Sequence, residues 1–306
     1  MLEPRDDFRH ALEDRPHARE SLFYNLLLPD EGLLVMFYTW VDAQDRAGHL
    51  FAVVGDDNER LAFSAVDGVG VGGRDFSDWL VDGLHVRHTE ALRTAELGFA
   101  GDGVSYEATF TALHQPFSYR DNEDGCPDFL ADDRFEQSGR VTGELTIGDR
   151  RIAFDTTAHR DHSWGTRDWD TIQDWKWISA QAEDGVTFNA MLLHARGENW
   201  HCGYVSRGGK LSAIVDVRVK AAYDENWWQT GGEIVLRDAD GGVVTVSAER
   251  FALFRFEAGE RIVLHEAACT GTIDGTPALI HLEAGWERSY AELQAARVRS
   301  RAAVGA

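Results

Sequence analysis

The sequence predicts an all-β protein of two domains that ends in one short helix. Three observations carry this. Short apolar runs with alternating polar residues recur along all 306 residues, at strand-like lengths. Turns rich in Gly, Asp and Pro separate them at roughly 8–12-residue spacing, the pattern of β-sandwiches and barrels. Only the ends look helical, and Ser289–Ala303, with Ala, Leu, Glu, Gln and Arg, is the best helix in the chain.

After a polar leader, 20–28 and 33–42 read as a hairpin. Its turn is Pro29-Asp30-Glu31-Gly32, where proline pre-sets φ and glycine accepts a positive φ. Strand-like runs follow at 50–54, 61–66, 84–88, 91–99 and 104–114. In the last, Tyr106, Ala108, Phe110 and Ala112 alternate with Glu107, Thr109, Thr111 and Leu113, as a half-buried strand requires. The stretch 115–136 has prolines, acids and little periodicity, and reads as a long loop of functional type. A second hairpin, 140–147 and 151–157, turns at Gly148-Asp149. Further runs occupy 175–182, 186–194, 200–205, 211–219, 233–237, 243–254, 262–273 and 278–286. Either half has strands enough for a barrel or sandwich, which places the expected domains at 1–158 and 159–306.

A net charge of −22 repels phosphate backbones and anionic lipid surfaces, so neither nucleic acid nor a membrane is an expected partner. No apolar run approaches the roughly 20 residues of a membrane span. The charged N-terminus lacks the apolar core of a secretory signal. Cys126, Cys202 and Cys269 are scattered, with neither a disulfide framework nor zinc spacing. The cytoplasm is the expected compartment, and a monomer or homodimer the expected state.

The densest chemistry lies in Arg160-Asp161-His162-Ser163-Trp164-Gly165-Thr166-Arg167-Asp168-Trp169. Charged residues are seldom buried unless paired, and Trp is seldom left in water, so this stretch reads as a buried, mutually paired cluster. A desolvated carboxyl can serve as an acid near neutrality, and His moves protons near pH 7. Asp161 and His162 are therefore the candidate catalytic residues. Trp164, Trp169 and Trp177 would hold a substrate, with Tyr38, Trp40, Phe110, His114 and His194 as further candidate lining. In an extended chain Asp161 and Ser163 face one way and His162 and Trp164 the other, unless Gly165 or a bulge bends it. The competing reading makes the cluster a structural lock, in which Arg160 and Arg167 pair with Asp161 or Asp168. His159/His162 and His85/His88 would also face opposite ways, so no metal site is expected. Glu107 and Glu283 read as solvated strand faces. The Gly68–Gly73 run opens no helix and reads as a loop.

This motif, preceded by Phe135-Glu136-Gln137 and a Gly-rich hairpin, resembles the lipocalin-like tandem-barrel family. That family includes carotenoid hydratase, kievitone hydratase and the lipocalin-like Diels–Alderases. The likeness spans 135–177. It implies two lipocalin-like barrel domains with a mostly apolar pocket in or between them. It further implies chemistry on a hydrophobic terpenoid, polyketide or aromatic molecule without metal or organic cofactor. The expected function is a lyase or isomerase, foremost a hydratase or dehydratase. A non-catalytic ligand carrier and a pericyclase that shapes its substrate are the alternatives.

Overall fold

The computed structural model describes residues 2–101 and 103–305. Among the described residues, nineteen strands form two bodies of sheet, and one α-helix follows them. In the first half, β1 (Ala18–Leu28), β2 (Leu33–Asp42), β3 (Arg46–Val54) and β4 (Arg60–Gly70) form an antiparallel run. β5 (Trp79–Val81), β6 (Leu84–Glu90), β7 (Thr94–Gly101), β8 (Val104–Ala112) and β9 (Phe117–Ser118) follow. The long hairpin β10 (Asp133–Ile147) and β11 (Arg150–Thr166) completes the sheet. The order is β4-β3-β2-β1-β11-β10-β8-β7-β6-β5, with β9 beside β10. This sheet curls round on itself. Phe51 of β3 stacks on Phe99 of β7 at 4.1 Å, although five strands separate them in the sheet order.

The second half is β12 (Ile172–Ala182), β13 (Thr187–Ala195), β14 (Glu198–Arg207), β15 (Lys210–Tyr223), β16 (Gln229–Asp238), β17 (Val243–Ala258), β18 (Ile262–Ile273) and β19 (Thr276–Glu287). They close in simple order, β19 pairing back to β12, which removes both free edges. The helix α1 (Arg288–Gly305) follows, as its composition predicts, and Tyr290 stacks on Trp286.

Among the described residues, three large apolar cores follow from strand alternation, beside a small cluster of Val263, Ala284, Trp286 and Ala291. One fills the first sheet, around Phe37, Phe51, Tyr106 and Phe110. One fills the closed barrel, around Ile178, Phe188, Leu236 and Ile280. The third lies between the two bodies and joins Phe23, Leu34 and Met36 to Trp175, Trp177, Tyr204 and Phe254. The 115–136 stretch, expected as a loop, feeds this third core with Phe117, Tyr119, Phe129 and Leu130, and its last residues already belong to β10.

The expected boundary near residue 158 falls inside β11. That strand runs on to Thr166 because β1 pairs with it from Tyr24↔Arg160 to Ala18↔Thr166. The change of sheet comes at 167–171, a segment holding a short 3-10 turn at Trp169–Thr171. The leader is also structured. Asp7 is buried against Arg160 and His88, and Arg9 reaches Asp45 and the backbone of Arg74.

Candidate functional site

The pleat of β11 sorts the central motif onto two faces. His159, Asp161 and Ser163 point toward the closed barrel. Arg160, His162 and Trp164 point into the first sheet. Directly opposed residues on neighbouring antiparallel strands share a face, so the barrel-facing set recruits Glu136 and Arg134 from β10 and Phe23 and Asn25 from β1. Asp161 and His162 therefore stand back to back. As expected of an unbent strand, no single pocket can hold both. Gly165 does sit at φ 103°, but it lies beyond both residues.

On the barrel-facing side the polar groups are buried and paired. Arg134 donates to Glu136 Oε1 at 2.6 Å and to Asp161 Oδ2 at 2.8 Å. His159 Nε2 lies 2.8 Å from Glu136 Oε2. Trp177, on the barrel wall, donates from Nε1 to Glu136 Oε1 at 3.0 Å. Burial pushes the Glu136 carboxyl up, but Arg134, His159 and Trp177 outweigh it and hold the group below its ordinary value. Burial raises Asp161 to about 7 against the pull of Arg134.

The barrel supplies the opposite wall. Trp175, Trp177 and Ser179 of β12 stand opposite Gly285, Glu283 and His281 of β19, and Glu283 in turn opposes Glu266 of β18. Trp175 donates from Nε1 to Glu283. His281 Nε2 lies 2.9 Å from Glu266 Oε2. Burial pushes Glu266 up to about 8, and Asp161 adds to that. Burial and the neighbouring Glu266 push Glu283 up to about 8. Burial lowers His281 to about 4. Near neutral pH the seam thus holds a carboxylate kept low, Glu136, beside three carboxyls raised toward or above neutrality, Asp161, Glu266 and Glu283, and a lowered His281. Groups whose surroundings drive their pKa values apart are the usual basis for separate acid and base roles.

Glu266 and His281 are buried, but Glu283 is only half-buried. Tyr38, Trp40 and Trp169, which pack on the same interdomain core, are half-buried too. Arg19 lies over the rings of Tyr38 and Trp40 at 5.4 and 4.4 Å. Trp169 meets Trp175 edge to face at 5.0 Å.

The other anticipated residues are dispersed. Phe110 belongs to the interior of the first sheet, beneath the Arg160 guanidinium. Trp164 stacks on His10 at 3.9 Å, and His162 Nε2 is 2.7 Å from Glu20 Oε1, both away from the seam. His114 reaches Tyr204 Oη at 3.0 Å beside the seam. His194 pairs with Asp174 at 2.9 Å in an open pocket of about 400 Å³ near the start of α1. The expected ion pairs are rearranged. Arg160 pairs with Asp7 at 2.8 Å rather than with a neighbour in the motif. Arg167 donates to Ser21 and Ser163, and among the described residues no carboxylate comes within 4 Å of it. Asp168 instead caps the following turn through Asp170 N and Thr171 Oγ1. Glu283 is part of the seam and not a solvated strand face.

Sequence reading did not reach Glu136, Glu266 and His281. Glu136 stands in Phe135-Glu136-Gln137, within a largely polar run, Asp133–Ser138, whose complete burial the sequence does not show. The other two are brought in by barrel register alone.

The overall fold is that of the lipocalin-like tandem β-barrel proteins. A Nitrosomonas europaea protein provisionally named AttH superposes with a TM-score of 0.69 at 15% identity, covering 94% of this chain and 97% of that one. CghA, solved with Sch210972, superposes with a TM-score of 0.63 at 14% identity, covering 89% of each chain. No protein of curated function matches the sequence. The family model described as "Domain of unknown function (DUF7064)" matches residues 3–288, and the chain belongs to that family.

Proposed function

We propose that this DUF7064 protein is a small-molecule enzyme that binds a hydrophobic substrate in the seam between its two domains and acts by acid–base chemistry, as a hydratase, dehydratase or isomerase. The observation that carries the reading is Glu283: a half-buried carboxyl raised to about 8, bonded to Trp175 and standing opposite Trp177, whose own ring N–H is held by Glu136.

In the hydration direction, Glu283 gives its proton to one alkene carbon. The cation that develops on the other carbon faces Trp175 and Trp177, each worth about 0.5–2 kcal/mol to a desolvated cation. Glu136, fixed by Arg134, adds a negative charge to the same seam. Water attacks the cation and returns a proton to the Glu283 carboxylate, so the sum is addition of H and OH. Dehydration is the reverse. Isomerisation omits the water and loses a proton from an adjacent carbon. Asp161, the candidate from sequence, is assigned to positioning Arg134 in this scheme.

The superposition on CghA, a protein solved with a small molecule, supports ligand binding and also favours a second reading, in which the seam binds or shapes a ligand without proton transfer. Incubating terpenoid, polyketide and aromatic alkenes with the protein in D2O, followed by mass spectrometry, separates the two. Deuterium incorporation or a gain of water that disappears in Glu283→Gln supports the acid–base reading. Turnover that persists in Glu283→Gln, or binding with no exchange, overturns it.

A further inference from the structure

The inner face of β11 leads to a different conclusion from its outer face. His162, on β11, and Glu20, on β1, are fully buried inside the first sheet. His10 comes down on them from the leader. Glu20 Oε1 lies 2.7 Å from His10 Nδ1 and 2.7 Å from His162 Nε2, and Oε2 accepts from the His10 backbone at 2.9 Å. The two ring nitrogens and the carboxylate oxygen all lie within 4.8 Å of one another.

We infer that His10, Glu20 and His162 form a binding site for one divalent transition-metal ion, which ties the leader to the first sheet. Two imidazoles and a carboxylate are a donor set that suits zinc and its first-row neighbours. Tetrahedral zinc with ordinary Zn–N bonds places its ligand atoms roughly 3.3 Å apart, so closing this set on an ion takes small side-chain movements. The tautomers permit it. His10 Nε2 and His162 Nδ1 are buried and have no hydrogen-bond partner among the described residues. Either ring can carry its proton there; the hydrogen bond to Glu20 is then given up, and the lone pair it frees is what an ion would take in its place.

The surroundings are those of a metal site. Trp164 stacks on His10 at an interplanar angle of 9°, and Phe76 and Phe135 present to His162 at ring-centroid distances of 5.4 and 5.2 Å. Such an apolar shell strengthens charge interactions inside it. His10 retains 21% side-chain exposure, so the cluster lies close to the surface. Sequence spacing could not show this set, because the three residues come from the leader and two separate strands.

The test is titration of the metal-stripped protein with Zn²⁺ by calorimetry, beside His10→Ala and Glu20→Gln, with folding checked by circular dichroism. One equivalent binding to the wild type, weakened about tenfold or more in both variants, is the expected result. No micromolar binding by the wild type, or binding that both variants retain, overturns the site. Where a variant fails to fold, Co²⁺ added to the wild type decides. The visible absorption of a four- or five-coordinate ion with nitrogen ligands supports the site, and the weak spectrum of hydrated Co²⁺ overturns it.

Discussion

Asn25, on β1 of the first sheet, donates from Nδ2 to Nδ1 of His281, on β19 of the barrel, across 2.9 Å. Its Oδ1 accepts from the backbone N–H of His159 at 2.8 Å, which fixes the orientation of the amide. His281 must then carry its proton on Nε2 and donate it to Glu266. One amide thus sets the tautomer of a histidine in the other domain.

Replacing Asn25 by Ala leaves the His159 N–H and His281 Nδ1 unpaired in a buried seam. A loss of about 1–3 kcal/mol is expected, read from urea unfolding. Asn25→Asp is expected to be worse than Asn25→Ala in any assay of turnover, because an acceptor facing Nδ1 reverses the tautomer. Equal effects of the two would remove His281 orientation from the account.

Glu283 gives a pH signature. Its pKa is raised from 4.5 to about 8 in the folded protein, so its contribution to stability is fully present below about pH 4.5 and is lost as pH rises through about 8. Glu283→Gln holds the neutral form at every pH. The stability of the variant relative to wild type should therefore rise from pH 5 to pH 8.5, by about 3–5 kcal/mol. A difference that is flat across that range would place the carboxylate in its ordinary range. His281 acts in the opposite window. Its pKa is lowered to about 4, so its share is lost as pH falls below the ordinary histidine range.

Asp7 anchors the leader. It accepts from Arg160 at 2.8 Å and from the Leu92 backbone at 2.6 Å, inside the first sheet. Asp7→Ala strands a buried guanidinium, and about 3–5 kcal/mol of stability should go with it. A denaturant midpoint unchanged from wild type would show that the leader is dispensable to the fold.

Gly165 ends the motif in a conformation that L-residues avoid, with φ of 103°. A Cβ there would overlap the Asp132 side chain. Gly165→Ala should cost about 1–3 kcal/mol in thermal or urea unfolding. A neutral outcome would mean that the 131–132 segment yields freely.

The all-β class and the helix were legible because turn chemistry is local. Pro29-Asp30-Glu31-Gly32 and Asp274-Gly275 mark their hairpins without help from the rest of the chain. The face assignment of Asp161 and His162 was legible too, since it follows from a period of two. Partners were not. Arg160 finds Asp7, 153 residues away, because the leader crosses the interior of the first sheet. Glu283 looked like a solvated carboxylate in a strand, and its burial depends on how the barrel meets Phe23 and Asn25. Burial between two domains is a property of neither sequence window. Residue 158 lies within β11, because the motif that follows the second hairpin in sequence is the continuation of that hairpin's second strand.

β11 is one continuous rail of 17 residues with different chemistry on each flank. Its pleat couples the two flanks like the teeth of a ratchet. A deletion of one residue between Arg150 and Ala158 would carry Asp161 and His159 into the apolar interior. His162 and Arg160 would arrive in the interdomain seam. The domain contact, the leader anchor and the carboxyl array would all fail together. The length of this strand is therefore less tolerant of change than any side chain on it.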